Sequence, residues 1–221
     1  PVIAVRDIVE TYGDRKPIMI SECGVGHKVS KTGEDTRDFA IQRLNEYLSY
    51  LPMVYSQIKL IAYFDWYVGG GVDKSDYRLS ENAELQKRYL KLVKGERFIQ
   101  NGFNGETGYC NRPVYNGIKV DSIFEVGCYA HSYGATLKQV TYYIDNEYAE
   151  TSYEIPYKTL IDGSEYSGNH RLKAIALFDD GNTLATESDI YINKEYNDNI
   201  LYVASGDQSK WLLSHGCLVN D

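Results

Sequence analysis

The hydrophobic period of this chain changes once, near residue 100, and that change limits the folds open to it. Up to residue 95 the apolar residues recur at helical spacing, interrupted by two short continuous apolar runs. From about Pro113 onward they alternate at every second residue. One chain therefore carries two architectures, and its 221 residues suit two domains better than one.

In the first part, Val5, Ile8, Val9 and Tyr12 follow the spacing of one helix face, and Gly13 is placed to end that helix. Pro17 to Ser21 reads as a short buried strand of the parallel type. A polar loop from Gly24 to Glu34 follows, and Asp35 or Thr36 can cap a second helix. Its apolar face is Ala40, Leu44, Tyr47, Leu48 and Leu51, and Pro52 is expected to stop it. Ile58 to Asp65 is a second buried-type strand, and Gly69, Gly70 and Gly71 then break regular structure. Ser80 is expected to cap a third helix with Leu85, Tyr89, Leu92 and Val93 inward and Gly95 at its end. The order α-β-α-β-α implies α/β structure with parallel strands.

Two parallel strands and three helices make neither a closed barrel nor a sheet covered on both faces. A full (β/α)8 barrel takes about 250 residues. Residues 1–95 are therefore expected to be the C-terminal portion of a larger fold, completed by the same parent chain or by another polypeptide.

Residues 96–111, with turn signals at Asn101-Gly102, Asn104-Gly105 and Gly108, form a candidate linker. Residues 112–194 carry the period-two pattern. Val140, Tyr142 and Ile144 alternate with Thr141, Tyr143 and Asp145, and Leu172, Ala174, Ala176 and Phe178 alternate with Arg171, Lys173, Ile175 and Leu177, while Asp180-Gly181 marks a hairpin. Such spacing predicts a β-sandwich. Residues 195–221 form a tail in which Ile200 to Ala204 can supply one more strand.

The net charge of -8 disfavours nucleic acid, whose phosphates call for a basic surface, and disfavours anionic membranes. No apolar run reaches the roughly 18–20 residues that span a bilayer, so no membrane insertion is expected. His27, His131, His170 and His215 lie far apart, and Cys23, Cys110, Cys128 and Cys217 lack the Cys-x-x-Cys spacing, so no metal site and no cofactor are predicted. Four cysteines allow three pairings. Cys110 with Cys217, near the two ends of the second domain, is the first to test, and free thiols are an equal alternative. The chain holds 21 Tyr against 6 Phe. That excess fits half-exposed strand positions, or a surface that contacts carbohydrate.

The stretch Lys16-Pro-Ile-Met-Ile-Ser-Glu22-Cys-Gly24 puts a carboxylate at the C-terminal end of a buried strand. That end is the active-site face of a barrel, and a strand terminus holds a side chain rigidly. The pattern alone also fits an ordinary surface Glu. The stretch resembles the seventh strand of clan A glycoside hydrolases, and most of all glycoside hydrolase family 26, which contains β-mannanases and some β-glucanases. Ile58-Lys-Leu-Ile-Ala-Tyr-Phe-Asp-Trp66 resembles the eighth strand, and Tyr77-Arg-Leu-Ser-Glu-Asn82 resembles the approach to the final helix. The resemblance covers residues 1–95. It implies a TIM barrel, with Glu22 as the catalytic nucleophile of a retaining glycosidase and Trp66 as the substrate-binding floor under the cleaved sugar. It also implies a polysaccharide substrate such as mannan or β-glucan, and an acid/base Glu on a fourth strand outside this chain. The sequence departs from the family pattern at Cys23, where an aromatic is usual. Asp65 and His27 can line the same face without being essential.

The second domain resembles bacterial Ig-like modules of secreted enzymes in Val140-Thr-Tyr-Tyr-Ile-Asp145, Ser152-Tyr-Glu-Ile-Pro-Tyr157, Asp162-Gly163 and His170-Arg-Leu-Lys-Ala-Ile-Ala176, with Asn146 in place of the usual Gly. Such modules act as spacers, stabilisers or occasional binders, and the resemblance implies a secreted or cell-surface location. The competing expectation is a non-catalytic cell-surface or carbohydrate-binding protein that keeps a degenerate barrel remnant.

Overall fold

A computed structural model describes residues 1–71, 74–95, 98–99, 110–193 and 200–205, with 110–113 and 200–205 described by backbone only. The chain divides into two compact units, residues 1–108 and residues 109–221.

The first unit runs α1 (Val2–Tyr12), β1 (Ile18–Cys23), β2 (Lys28–Val29), α2 (Arg37–Asn45), α3 (Leu51–Val54), β3 (Ile58–Tyr63), β4 (Ser75–Asp76) and α4 (Ala83–Val93). β1 and β3 are parallel neighbours, with Met19 opposite Leu60, Ile20 opposite Ile61 and Cys23 opposite Tyr63. Their ladder has two strands, and no closed barrel exists among the described residues. One face of it packs on helices: Ile61 and Tyr63 meet a core of Val25, Ala40, Leu44, Leu48, Leu79 and Leu85. Met19 and Leu60 point the other way and are 58% and 49% exposed, although parallel strands are ordinarily covered on both faces.

Several local expectations meet a different outcome. In α1 only Val2 and Val9 are buried, whereas Ile8 and Tyr12 are half exposed. Gly13 does follow the helix, but in a right-handed conformation. It is glycine for room, since a Cβ there would lie 2.5 Å from the Val9 carbonyl oxygen. Pro52 does not stop the second helix. A π-helical turn over Glu46–Tyr50 shifts the hydrogen-bond register, and Pro52 then falls in the first turn of α3, where its missing N–H costs nothing. The cap of α4 is Asn82 rather than Ser80: the Asn82 side chain accepts from the Leu85 N–H at 3.0 Å, and Ser80 sits in the 3-10 turn Leu79–Glu81 just before.

The second unit is all β: β5 (Cys110–Pro113), β6 (Ile118–Asp121), β7 (Ile123–Tyr129), β8 (Leu137–Ile144), β9 (Glu147–Ser152), β10 (Lys158–Asp162), β11 (Gly168–Phe178), β12 (Thr183–Asn193) and β13 (Ile200–Ser205). One sheet has the order β10-β7-β13-β5 and the other β6-β12-β11-β8-β9. In the five-stranded sheet the buried residues of β8 and β11 are those of the period-two pattern: Val140, Tyr142, Ile144, Leu172, Ala174, Ala176 and Phe178 are all at most 2% exposed, and the other sheet buries Phe124, Val126, Cys128 and Ile161. This is the two-sheet arrangement of an Ig-like sandwich. The first strand begins at Cys110, and β13 pairs in parallel with both β5 and β7.

The β8–β9 turn places Asp145 and Asn146 at φ 52° and 69°, the double left-handed conformation of a type I′ hairpin. Asn is among the residues that adopt it without a glycine. The Asp145 carboxylate accepts the Arg171 N–H at 2.8 Å and meets His170 Nδ1 at 2.7 Å, which pins the hairpin tip to β11. These bonds, His170 first, hold the Asp145 carboxyl below its usual range.

Candidate functional site

The site is built on the C-terminal ends of β1 and β3. Glu22 is the penultimate residue of β1, and Trp66 follows the end of β3 by three residues, so the parallel pairing brings them to the same end of the sheet. Between Ile20 and Cys23 the register slips, which leaves Ser21 and Glu22 together opposite Ala62. Cys23 turns inward and is buried, while Glu22 is exposed. Among the described residues Glu22 makes no hydrogen bond or ion pair. Trp66 is 66% exposed. Both side chains are therefore open to a ligand.

The strand ends are joined by short-range contacts. The Phe64 N–H donates to the Cys23 carbonyl at 2.6 Å, which extends the ladder one step past β3. The loops beyond pair through β2 and β4, with Lys28 opposite Asp76 and Val29 opposite Ser75. Asp76, 5% exposed, takes a two-pronged ion pair from Arg78, Nε at 3.0 Å and Nη2 at 2.8 Å, and its carboxyl is held below the ordinary range chiefly by that guanidinium. The same guanidinium lies 5.1 Å from the centroid of the Tyr67 ring, next to Trp66.

Asp65 and His27 serve the framework. Asp65 Oδ1 accepts the Leu79 N–H at 2.7 Å and so anchors the turn that leads into α4. His27 is 5% exposed, its backbone bonded to Asp76 and Thr36, and its Nδ1 has no hydrogen-bond partner among the described residues. Thr36 puts its hydroxyl on the Gly26 carbonyl at 2.9 Å, and the Arg37 N–H is taken by Asp35. No group of three or more His, Cys, Asp or Glu side chains among the described residues is arranged to hold a metal.

Behind the site, Cys23 is paired with Tyr63, whose ring meets Tyr89 at 5.3 Å between centroids, and the hydroxyls of Tyr47, Tyr63 and Tyr89 titrate above their normal range mainly because they are desolvated. Burial pushes the Cys23 thiol up to about 11 and that of Cys128 in the second unit up to about 12. The side chains of Cys110 and Cys217 lie outside the described residues, and with them the proposed pairing. A thiol reacts as its thiolate, so Cys23 and Cys128 are expected to stay unmodified by iodoacetamide in the native chain at pH 8 and to label rapidly in denaturant. Peptide mass spectrometry reads this directly, and fast native labelling of Cys23 would show that the strand end is open on its helix side.

On the second unit the tyrosines divide. Tyr142 and Tyr157 are buried, whereas Tyr133, Tyr148 and Tyr153 are 81%, 62% and 67% exposed. Tyr143 and Tyr148 meet edge to face, at 85° between ring planes.

Tyr77, whose ring abuts Gly24 and whose N–H donates to the Trp66 carbonyl, and the Asp76–Arg78 pair beside Tyr67 are not marked as site residues by the sequence. The one signal in the sequence is the spacing of Gly24 and Gly26 just after Glu22, which leaves one side of that segment without side chains.

No protein-family profile matches the sequence, and no curated protein does either. Some solved structures are similar over part of the chain. A fibronectin(III)-like module of Clostridium thermocellum CbhA is 18% identical, with a TM-score of 0.29, covering 40% of this chain and 93% of the module. The Clostridium perfringens spore cortex lytic enzyme SleM is 16% identical, TM-score 0.30, over 40% of this chain and 30% of the enzyme. A calcium-binding mutant of Bacteroides uniformis beta-glucuronidase 2 is 12% identical, TM-score 0.26, over 80% of this chain and 22% of that one. Overlaps this slight carry no information about function. No helix among the described residues is long and apolar enough to cross a membrane.

Proposed function

We propose that Glu22 and Trp66 are the nucleophile and the sugar platform of a retaining glycoside hydrolase that acts on a β-linked polysaccharide, mannan or β-glucan, outside the cell. The observation that carries this reading is their common position at one end of two register-paired parallel strands, both exposed. In a (β/α)8 barrel that end is the catalytic face. β1 and β3 are then the seventh and eighth strands of such a barrel. The exposed Met19 and Leu60 support this, since a parallel sheet is covered on both faces when complete. The Ig-like unit is an accessory module.

In this reaction Glu22 attacks the anomeric carbon as the glycosidic C–O bond breaks. A second carboxylic acid about 5–5.5 Å away protonates the leaving oxygen. The same second group then takes a proton from water, which displaces Glu22 from the glycosyl ester. Trp66 presents a flat apolar ring for the sugar's C–H face. The second carboxylate comes from the rest of the barrel, in the same parent chain or in another polypeptide.

The test is proton NMR of the anomeric signals during hydrolysis of manno- and gluco-oligosaccharides. A protein that contains these residues within a complete barrel should release product of retained configuration, and the 221-residue chain alone should release none. Inverted product, or turnover by the isolated chain, would contradict the mechanism. A complete protein inert on every β-glycan would favour a non-catalytic surface role.

A further inference from the structure

We propose that Tyr77 is a positioning residue that fixes the spacing between the Glu22 and Trp66 strand ends. The proposal rests on the roles given above to Glu22 and Trp66. Tyr77 lies just after β4 and touches both strand ends at once. A Cβ placed on Gly24 would lie 3.0 Å from Tyr77 Cδ1, and one on Gly26 would lie 3.7 Å from Tyr77 Cε1. One edge of the ring thus runs along the side-chain-free face of the segment that follows Glu22. The second glycine is also required by β4 itself, since a Cβ on Gly26 would meet Ser75 Cβ at 2.4 Å.

The other contacts of Tyr77 reach the β3 side. Its ring meets Phe64 in an edge-to-face pair, with centroids 5.5 Å apart and planes at 71°. Its N–H donates to the Trp66 carbonyl at 3.1 Å, and its own carbonyl accepts the Tyr63 hydroxyl at 3.0 Å. Tyr63 is the residue paired with Cys23. Gly24 and Phe64 already meet directly, since a Cβ on Gly24 would lie 3.1 Å from the Phe64 carbonyl oxygen and 3.3 Å from Phe64 Cβ. The ring therefore acts as a buttress: it lies against both and holds the chain two residues past Glu22 at that distance from the chain two residues before Trp66. The main core of this unit, around Leu44, Leu48 and Leu85, does not include it. Position, more than stability, is what the ring controls.

A nucleophile and a stacking platform must hold one substrate together, and a displacement of about 1 Å far from the chemistry can cost about 100-fold in rate. In the complete enzyme, Tyr77→Leu and Tyr77→Ala are expected to lower kcat about 100-fold with KM altered by less than about threefold, while Tyr77→Phe restores the parent rate.

A second readout needs no catalysis. The 221-residue chain is grown with 5-fluorotryptophan in a Trp211→Phe background, so that one fluorine reports Trp66. The parent and Tyr77→Phe should share one chemical shift. Tyr77→Leu and Tyr77→Ala should move it toward the value of the urea-unfolded chain, while helical circular dichroism persists. If Tyr77→Ala unfolds, Tyr77→Leu, which keeps most of the volume without the flat edge, decides the matter. An unchanged shift in the folded Leu variant overturns the proposal whether or not the protein cleaves sugar. A shift that moves in Leu and returns in Phe, in a protein that cleaves no glycan, upholds the positioning role and removes the sugar reading.

Discussion

If the proposed function holds, Glu22→Gln is expected to lower kcat of the complete protein at least ~10³-fold, toward the range seen when a covalent nucleophile is removed, and to leave KM nearly unchanged. The amide is close in shape to the carboxylate but cannot form the glycosyl ester, so the first chemical step is lost while sugar contacts remain. A thousandfold loss is about 4 kcal/mol of transition-state stabilisation. Folding should hardly register the change. Glu22 is exposed and makes no hydrogen bond or ion pair among the described residues, so its replacement belongs with surface substitutions that alter stability by about 0.5 kcal/mol or less. Initial rates on mannan and mixed-linkage glucan, with urea midpoints of both proteins, check the two halves together. An undiminished rate would place the nucleophile elsewhere. A large loss of stability would mean that Glu22 is structural.

The second large effect is on the sandwich. Tyr142→Ala is expected to destabilise it by about 3–5 kcal/mol, the range for removing a buried aromatic. Tyr142 is 0% exposed in β8, with β11 on one side, where it faces Ala174, and β9 on the other, where it faces Glu150. Its hydroxyl donates to the Tyr157 carbonyl at 2.5 Å, and the Tyr157 hydroxyl donates back to the Leu137 carbonyl at 2.5 Å, at the start of the same strand. The two rings thus hold each other. Tyr157 sits at φ 53°, a conformation that a non-glycine residue keeps only when its surroundings enforce it. Tyr142→Phe removes the hydroxyl alone and leaves a buried carbonyl without that donor, for about 1–3 kcal/mol. Hydrogen exchange of the β8 and β11 amides separates the two variants. Equal protection in both would mean that the hydroxyl, not the ring, dominates.

The sandwich was legible because each of its signals is local. Val140, Tyr142 and Ile144 alternate over one strand, and Asp145-Asn146 turns the chain immediately afterward. Strands β5 and β13 carried weaker signals: they are short and parallel, and their partners lie far along the chain, so no turn announces the pairing. In the first unit the two apolar runs were legible as strands and the helix face from Ala40 to Leu51 as core. Caps and stops were less so. Ser80 and Asn82 are equally able to cap, and only the register toward Leu85 selects Asn82. Pro52 stops a helix only where its N–H is needed, and the wide turn before it removes that need. The strand-end positions of Glu22 and Trp66 were visible because strand ends are visible, and the roles proposed for them rest on the family resemblance. Tyr77 was not, since the glycines state that something approaches and not what does.

The two-stranded ladder of β1 and β3 has a consequence for handling the chain. Among the described residues each strand has one flank with no strand beside it. A flank of free amide and carbonyl groups does not distinguish its own next strand from a strand of another molecule. Met19 and Leu60 add an apolar surface beside those flanks. What opposes association is the net charge of -8, which acts through solvent and is screened beyond roughly 10 Å in about 0.1 M salt. Dilution and low salt are therefore expected to keep the molecules of this chain single, because added salt screens the charge repulsion that opposes edge-to-edge pairing.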